Sequence, residues 1–168
     1  MTRRSLRGYF LLQNQDGSEK KFFEFDAFIS YAEEDVDFAH EALKTKVQNK
    51  YPTAKLCYHS EHFLPGRSIP ESIVNAVNCS RKTVCVLSEH FLVSEWCIYE
   101  FKMANLEKIY KRGDQDSLLI LMLGSINLER VPVDIMTYLK SRSYIEVPKN
   151  VNESDDFWNH IISAIMEE

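Results

Sequence analysis

FDAFISYAEEDVDFAHEALKTKVQNK, residues 25–50, joins the pattern of a β-strand directly to the pattern of a helix. The part up to residue 31 is a short apolar run rich in aromatic and β-forming residues, which predicts a buried strand. The part after it predicts an amphipathic helix, for which Asp35 is available as the N-cap. The apolar residues at helical spacing are Val36, Ala39, Leu43 and Val47. A buried strand followed by such a helix is the repeating unit of a parallel sheet covered by helices.

The same alternation continues to the end of the chain. Further strands are predicted in AKLCYH (54–59), KTVCVLS (82–88), SLLILML (117–123) and SYIEV (143–147). Helices are predicted between and after them: one with Pro70 in its first turn, a long one with Ser94 as its cap and Gly113 as its stop, and a final one capped by Ser154. Because crossovers between parallel strands are right-handed, we predict an α/β fold. It is a flavodoxin-like, doubly wound, five-stranded parallel sheet with strand order 2-1-3-4-5 and helices on both faces.

The composition is that of one globular domain. The chain has 168 residues, of which 45% are hydrophobic and 27% charged, and this is enough to bury a core. Its formal net charge of -5 argues against a nucleic-acid partner, because nucleic-acid-binding surfaces carry a basic excess. The longest apolar run, LLILML (118–123), is far shorter than the roughly 20 residues that cross a bilayer, so no membrane span is expected within this chain.

The first residues differ from the rest in charge. The segment MTRRSLRGYF, residues 1–10, holds arginines at positions 3, 4 and 7 and no acid. We predict a flexible N-terminal segment over residues 1–24 and a single domain over residues 25–168. Two interpretations of the arginines stay open: a disordered start, or a juxtamembrane segment on the cytoplasmic side of a membrane helix, where arginines gather.

The four cysteines, at positions 57, 79, 85 and 97, predict a cytoplasmic protein with reduced thiols. They form no CxxC pair, and free cysteine packs as a small buried hydrophobe. A disulfide framework is expected in smaller, loop-rich secreted chains instead. Cys57, His59 and His62 make a weak metal-binding pattern, but no fourth ligand follows at zinc spacing, so no metal site is predicted.

Nucleotide chemistry, a common function of doubly wound sheets, lacks its motifs in this sequence. No GxGxxG follows the first strand and no GxxxxGK[ST] occurs, so neither phosphate-binding loop is predicted. No GxSxG is present for a nucleophilic serine. A response regulator needs an aspartate at the end of its third strand, where this chain has Ser88. No cofactor is therefore expected.

The segment EHFLPGRSIPES, residues 61–72, places large apolar residues beside the two residues that most restrict a turn. Pro65 fixes φ and Gly66 permits backbone angles that other residues avoid, so the loop is expected to hold one shape. A pre-shaped loop loses less entropy on binding, which leaves more of the contact energy as affinity. We predict a partner-binding surface in this loop, with Leu64 as an apolar anchor and Arg67 giving polar selectivity at the rim.

The predicted partner-binding residues are Phe63, Leu64, Pro65, Gly66, Arg67 and Ser68. For Phe63 two alternatives stay open, because aromatic side chains bury large areas. Either Phe63 is a second anchor for the partner, or it folds under the loop into the core and leaves only its neighbours exposed.

Four segments together resemble the Toll/interleukin-1 receptor (TIR) domain. FDAFISYAEED (25–35) resembles its first signature box, LCYHSEHFLPGRSI (56–69) its second, and Phe157-Trp158 its third. VLSEHFLVSEWCIYEF (86–101) is similar to the segment after the third strand in Toll-like receptors. A single box is a weak signal, but all of them in order, from about residue 25 to the end, are highly specific.

The resemblance implies a flavodoxin-like fold and a function based on association with other TIR domains. In Toll-like receptors, pairing outside the cell brings two cytoplasmic copies together, and the assembled surface recruits an adaptor that carries its own TIR domain. It therefore implies the cytoplasmic part of a single-pass receptor in innate immune signalling, tethered to a membrane by the rest of the receptor.

Some TIR domains cleave the nicotinamide bond of NAD, and the resemblance extends to one residue of that site. This residue is Glu100, four positions after Trp96, whose carboxylate would stabilise the positive charge that develops as nicotinamide leaves. The NAD-cleaving members resemble ISYRR after the first strand, whereas this chain reads ISYAEED, and acids there would repel a pyrophosphate. We predict a scaffold, with an NAD glycohydrolase that uses Glu100 as the alternative.

Overall fold

The β-structure consists of an antiparallel sheet followed along the chain by a parallel one. The computed structural model describes residues 3–6, 9–13, 19–110, 116–142 and 144–167. The strands are β1 (Arg3–Leu6), β2 (Tyr9–Gln13), β3 (Glu19–Phe22), β4 (Phe25–Ser30), β5 (Leu56–Cys57), β6 (Ser80–Leu87), β7 (Leu118–Met122) and β8 (Ile145–Glu146). The first sheet has the order β1-β2-β3, and the second has the order β5-β4-β6-β7-β8.

The parallel sheet confirms the predicted fold. Numbered along the chain, its strands lie in the order 2-1-3-4-5, and every neighbouring pair is parallel. The central strands β4 and β6 have neighbours on both sides, whereas β5 and β8 lie at the edges. Both edge strands are only two residues long and therefore shorter than their sequence patterns predicted. Short edge strands leave few unpaired backbone groups for unwanted sheet extension.

The antiparallel sheet lies within the N-terminal segment, residues 1–24. β2 pairs with β1 on one side and with β3 on the other. The segment thus contains regular secondary structure that the sequence pattern did not predict. Its flexibility, its boundary near residue 24 and its place beside a membrane stay predictions.

Helices follow the strands of the parallel sheet, as predicted. In the described residues they are α1 (Leu43–Lys50), α2 (His59–His62), α3 (Ile69–Cys79), α4 (Glu89–Val93), α5 (Glu95–Tyr110), α6 (Val133–Ser141) and α7 (Asp155–Met166). A π-helical stretch, Asp37–Ala42, leads directly into α1, and shorter 3₁₀ turns span Glu33–Asp35, Leu128–Arg130 and Val151–Glu153. The predicted stop of the long helix at Gly113 lies outside the described residues.

The two faces of the parallel sheet carry two separate parts of the core. Along β4, Ala27 and Ile29 pack with α1 and α7, whereas Phe28 packs with α3 and α5 on the other face. β6 repeats the alternation, with Val84 on the first face and Cys85 on the second. This follows from strand geometry, in which successive side chains point to opposite faces. Both faces are covered, as a doubly wound fold requires.

The third signature segment is structural. Phe157 and Trp158 are 8% and 3% exposed and pack α7 against the sheet. The indole Nε1 of Trp158 donates a hydrogen bond to the carbonyl oxygen of Val151 at 2.7 Å, which satisfies its buried polar group. Both residues therefore belong to the core beneath α7.

Two of the three predicted helix caps are present. The hydroxyl oxygen of Ser94 accepts from the amide of Cys97 at 3.3 Å, and that of Ser154 accepts from the amide of Phe157 at 3.4 Å. The prediction that Asp35 is an N-cap was wrong. Its carboxylate accepts a hydrogen bond from the hydroxyl of Ser88 instead, because the chain enters this helix through a 3₁₀ turn that carries Asp35 toward the end of β6.

Asp26 has a structural position at the start of β4. Its carboxylate accepts the backbone amide of Lys55 at 2.8 Å, and its own amide donates to the carbonyl of Lys55 at 2.8 Å. These bonds fix the amino end of β4 to the segment before β5. We expect Asp26→Ala to lower the free energy of unfolding by about 1–2 kcal/mol, since it leaves the Lys55 amide without this acceptor. Urea denaturation measures the loss, and unchanged partner binding by the folded variant distinguishes this role from a functional one.

Candidate partner-binding site

The predicted partner-binding loop, Phe63–Ser68, connects α2 to α3 on the carboxyl side of β5. The amide of Arg67 donates to the carbonyl of Leu64 at 3.3 Å, which closes a four-residue turn. Pro65 and Gly66 occupy its two central positions, and Gly66 has φ +81°. This is the pattern of a type II turn, in which proline is favoured first and positive φ requires glycine second. A Cβ added at Gly66 meets no atom within 4 Å, so glycine is needed for its backbone angle and not for space.

Phe63 points away from the exposed side of the loop. It is half-buried and packs against the core face that contains Phe28, with ring centroids 6.1 Å apart and planes 25° apart. Its ring also lies 5.9 Å from that of His59 at the start of α2. Of the two alternatives for Phe63, the structure has the inward one.

The rest of the loop is exposed. Leu64 is 58% exposed, and Pro65, Gly66, Arg67 and Ser68 are exposed as well. An exposed leucine next to a conformationally restricted turn is an apolar contact available to another protein. The carbonyl of Ser68 is occupied inside the chain, because it accepts the amide and the hydroxyl of Ser72, each at 3.0 Å. The five exposed residues thus form one continuous surface on a turn held by its own backbone bond.

A small cleft of about 200 Å³ lies behind the loop. Its lining includes Phe63, Leu64 and Arg67 of the loop, together with Cys57 and Cys79. Burial raises the pKa of the Cys57 thiol to about 12 and also raises the pKa of Cys79. Both thiols therefore stay protonated near neutral pH and line the cleft as apolar groups.

Glu100 is buried between α5 and the carboxyl end of β4. Its side chain is 4% exposed, and its Oε2 accepts a hydrogen bond from the hydroxyl of Ser30. Burial raises the pKa of this carboxyl to about 7, and the hydrogen bond from Ser30 opposes the rise. Chemically, the arrangement is a buried carboxyl group with a raised pKa, held by a neutral hydrogen-bond donor. No sequence pattern signalled Ser30 as its partner.

A second group of side chains, also missed by the sequence patterns, ties α2 to the helix after β4. Glu61 Oε1 lies 2.7 Å from His40 Nε2 and accepts a hydrogen bond from Lys44 Nζ at 2.9 Å. The charged neighbours lower the pKa of Glu61, the hydrogen bond from Lys44 most of all. His40 is half-buried against Tyr58, with ring centroids 4.4 Å apart. The tie connects elements far apart in sequence, so residue spacing gave no signal for it.

Nowhere in residues 19–110, 116–142 and 144–167, or in the shorter N-terminal pieces, do three His, Cys, Asp or Glu side chains come together as metal ligands. Over the same residues, every helix is too short or too polar to traverse a lipid bilayer.

Comparison with known proteins gives the family. The TIR domain family model matches residues 27–162. The chain is 38% identical over 165 residues to a Toll-like receptor 4 of Pinctada imbricata, which covers 98% of this chain and 18% of that receptor. It is 31% identical over 144 residues to Toll-like receptor 2 of Homo sapiens, which covers 84% of this chain and 18% of that receptor. The chain therefore spans less than a fifth of the length of these relatives.

Solved structures agree with this fold. The TIR domain of the Toll-related receptor TRR-2 of Hydra magnipapillata superposes with a TM-score of 0.62 at 22% identity, covering 84% of this chain and 98% of that one. A TIR-STING receptor from C. gigas, solved in complex with 2',3'-cGAMP, superposes with a TM-score of 0.64 at 27% identity, covering 86% of this chain and 40% of that one. With the predicted strand order observed and the family match extending over most of the parallel-sheet domain, this chain belongs to the TIR domain family.

Proposed function

We propose that this chain is the cytoplasmic signalling domain of a Toll-like receptor. It acts by self-association with other TIR domains and by recruitment of a TIR-containing adaptor in innate immune signalling. The observation that carries the proposal is the exposed Leu64 on the Pro65-Gly66 turn, because it offers a rigid apolar contact on a domain whose relatives are Toll-like receptors.

The energetics of this loop fit a partner-binding surface. Full burial of a leucine side chain is worth about 1.5–3 kcal/mol, and Leu64 is 58% exposed before any partner binds. The backbone bond of the turn and the positive φ of Gly66 hold the loop in advance, so little conformational entropy is lost on contact. Leu64 is the anchor, and Phe63 supports the loop from below.

The remaining functions of the receptor belong to the rest of its length. Because the chain spans 18% of its receptor relatives, ligand binding outside the cell and the membrane tether are assigned to the other segments of the full-length receptor. Pairing of those segments brings two copies of this domain together. The role of this chain is to convert that proximity into an assembled surface.

The proposal is tested with Leu64→Asp and a matched control, Leu128→Asp. Both positions hold an exposed leucine, at 58% and 60%, but Leu128 lies in the 3₁₀ turn before α6. A charge at the centre of an apolar contact removes the anchor and adds a desolvation penalty. We expect Leu64→Asp to weaken self-association and adaptor binding by about tenfold or more, and Leu128→Asp to change them far less. Sedimentation and adaptor pull-down measure both.

Equal losses in the two variants would contradict the assignment of the surface to this loop. Retention of both activities by Leu64→Asp, with an unchanged circular dichroism spectrum, would contradict the proposed function itself.

Cleavage of NAD is the second candidate, and one observation favours it. Glu100 is a buried carboxyl group beside the carboxyl ends of the strands, where sheets of this type bind ligands, and its pKa is raised. Against this, its carboxylate already accepts from Ser30 and only 4% of the residue is exposed. Glu33 and Glu34, both exposed, follow β4 near that end of the sheet and disfavour a pyrophosphate. We therefore rank the scaffold first.

A further inference from the structure

His59 begins α2, the single helical turn that leads into the loop, and one of its ring nitrogens has no hydrogen-bond partner. Its Nδ1 is buried and unpaired, whereas its Nε2 lies 4.0 Å from a carboxylate oxygen of Glu33. The ring stacks on Tyr31 at 5.2 Å and 28°, and contacts Phe63 at 5.9 Å. The ring of His59 thus supports the loop through its contacts with Tyr31, just after β4, and with Phe63. We call this pair of ring contacts the seat of the loop.

The groups that face His59 come from several elements. Glu33, in the 3₁₀ turn, is negative but its side chain is 81% exposed, so solvent screens it. His40, in the π-helical stretch, faces it from the next element, with Lys44 of α1 behind. Glu61, on α2 itself, is already engaged by both of those groups. The hydroxyl groups of Tyr31 and Tyr58 are neutral, because burial raises the pKa of each.

These surroundings favour the neutral imidazole. Burial lowers the pKa of His59, Glu33 opposes this, and His40 adds to it. Protonation would place a charged N–H at Nδ1, where no acceptor lies. A cation held against aromatic rings gains some energy, but a charged donor buried without an acceptor costs more.

We propose that the seat formed by His59 makes the position of the partner-binding loop sensitive to pH. Protonation of His59 turns its ring out of the contacts with Tyr31 and Phe63, and the loss of the Phe63 contact releases the loop together with Leu64. The consequence for association rests on the proposed function, but the release itself does not. Glu61, which lies between His59 and the loop, stays tied to Lys44, so the movement reaches the loop through the ring contact of His59 with Phe63.

The direction in pH follows from the lowered pKa. The released state binds a proton more readily than the seated state, so acidification favours release. The seat is intact above the ordinary histidine value of 6.5 and is lost as the pH falls below it toward the lowered pKa. Each unit of difference between the two pKa values allows at most about a tenfold change in the ratio of seated to released molecules.

The test is an NMR titration of the complete 168-residue chain from about pH 7.5 to about pH 5. The ring of His59, the methyl groups of Leu64 and the amide of Gly66 are followed together. The methyl groups of Val84, 0% exposed in the sheet, report on the fold. His59→Phe keeps an aromatic ring that cannot be protonated, and His160→Phe is the matched control on the exposed side of α7.

We expect the loop signals to shift with the same midpoint as His59, below pH 6.5, and the shift to vanish in His59→Phe but persist in His160→Phe. Loop signals that ignore the His59 titration, or that shift equally in His59→Phe, would overturn the proposal. If the Val84 signals show that His59→Phe is misfolded, His59→Gln replaces it. The wild-type titration still tests whether the loop signals share the midpoint of His59. Association is measured at the same pH values. If the loop moves but association does not change, the result counts against the proposed function and still supports the pH-sensitive contact of His59.

Discussion

Replacing Pro65 with His is expected to abolish self-association and signalling while the fold stays intact. Pro65 is the first central residue of the turn that presents Leu64, and it restricts the backbone of that turn before any partner binds. Histidine frees φ and removes the ring, so the apolar contact and the fixed shape are lost together. Loss of a central interface residue typically costs 2 kcal/mol or more, which corresponds to about thirtyfold in affinity.

The fold is expected to survive because Pro65 is exposed and lies outside both core clusters. Exchange of a compatible proline for another residue costs about 0.4–1 kcal/mol, chiefly through the unfolded chain. For a domain of this size that is a fall of roughly 1–4 °C in Tm. Ile161→Ala is the contrasting control. Ile161 is 0% exposed on α7, and its truncation is expected to cost about 2–5 kcal/mol while leaving the loop unchanged.

Thermal unfolding and sedimentation of the wild type, Pro65→His and Ile161→Ala distinguish a lost interface from a lost fold. The predicted pattern is a small loss of stability with a large loss of association for Pro65→His, and the reverse for Ile161→Ala below its Tm. Pro65→Ala then separates shape from contact, since it removes the ring but introduces no polar group. If Pro65→His lost as much stability as Ile161→Ala, its loss of signalling would be unfolding, and the interface account would have no support.

The fold was predictable because each local pattern agreed with the architecture. β4 contains the buried apolar run AFI (27–29) and β6 the buried apolar run VCVL (84–87), as strands covered on both faces require, and helical periodicity followed each. Ser94 and Ser154 were found as caps because a cap is a local hydrogen bond, three residues long. Asp35 failed as a cap because a distant hydroxyl, on Ser88, competes for its carboxylate.

In the candidate site, too, the features set by neighbouring residues were predictable, whereas those set by distant contacts were not. The Pro65-Gly66 turn was visible in the sequence, since both residues act through their own backbone. The direction of Phe63 was not, because it depends on Phe28 from a different strand. The tie from Lys44 to Glu61 and the bond from Ser30 to Glu100 join residues 17 and 70 positions apart, so only the folded chain brings them together.

Glu100→Gln is expected to make the protein more stable at alkaline pH. The carboxyl group of Glu100 has its pKa raised from an ordinary value of 4.5 to about 7, chiefly by burial. A carboxyl group with a raised pKa stabilises the folded state fully below its unfolded value and loses that contribution as the pH rises through the folded one. Above neutral pH the buried charge of Glu100 therefore destabilises the folded wild-type protein, whereas the glutamine of the variant is neutral at every pH.

The size of the effect follows from the two pKa values. Their difference corresponds to about 3 kcal/mol at pH 8, to about 1 kcal/mol at pH 5 and to almost nothing below about pH 4. Glutamine keeps an oxygen that accepts from Ser30, but its new NH₂ group needs a partner of its own, so a net gain of about 1–2 kcal/mol at pH 8 is expected. Urea denaturation between about pH 5 and pH 8 measures it. A constant difference across that range would show that Glu100 does not titrate there.

The same variant separates the scaffold from the enzyme. A scaffold releases no nicotinamide from NAD, whether as the wild type or as Glu100→Gln, even when the protein is clustered on vesicles, and the variant recruits the adaptor normally. An enzyme loses about a hundredfold or more of its rate in Glu100→Gln, because glutamine cannot supply the charge that stabilises the oxocarbenium-like transition state. A residue that is 4% exposed and already bonded to Ser30 is poorly arranged for that task. We therefore expect intact NAD in both samples, and nicotinamide release by the clustered wild type, lost in the variant, would reverse the ranking of the two functions.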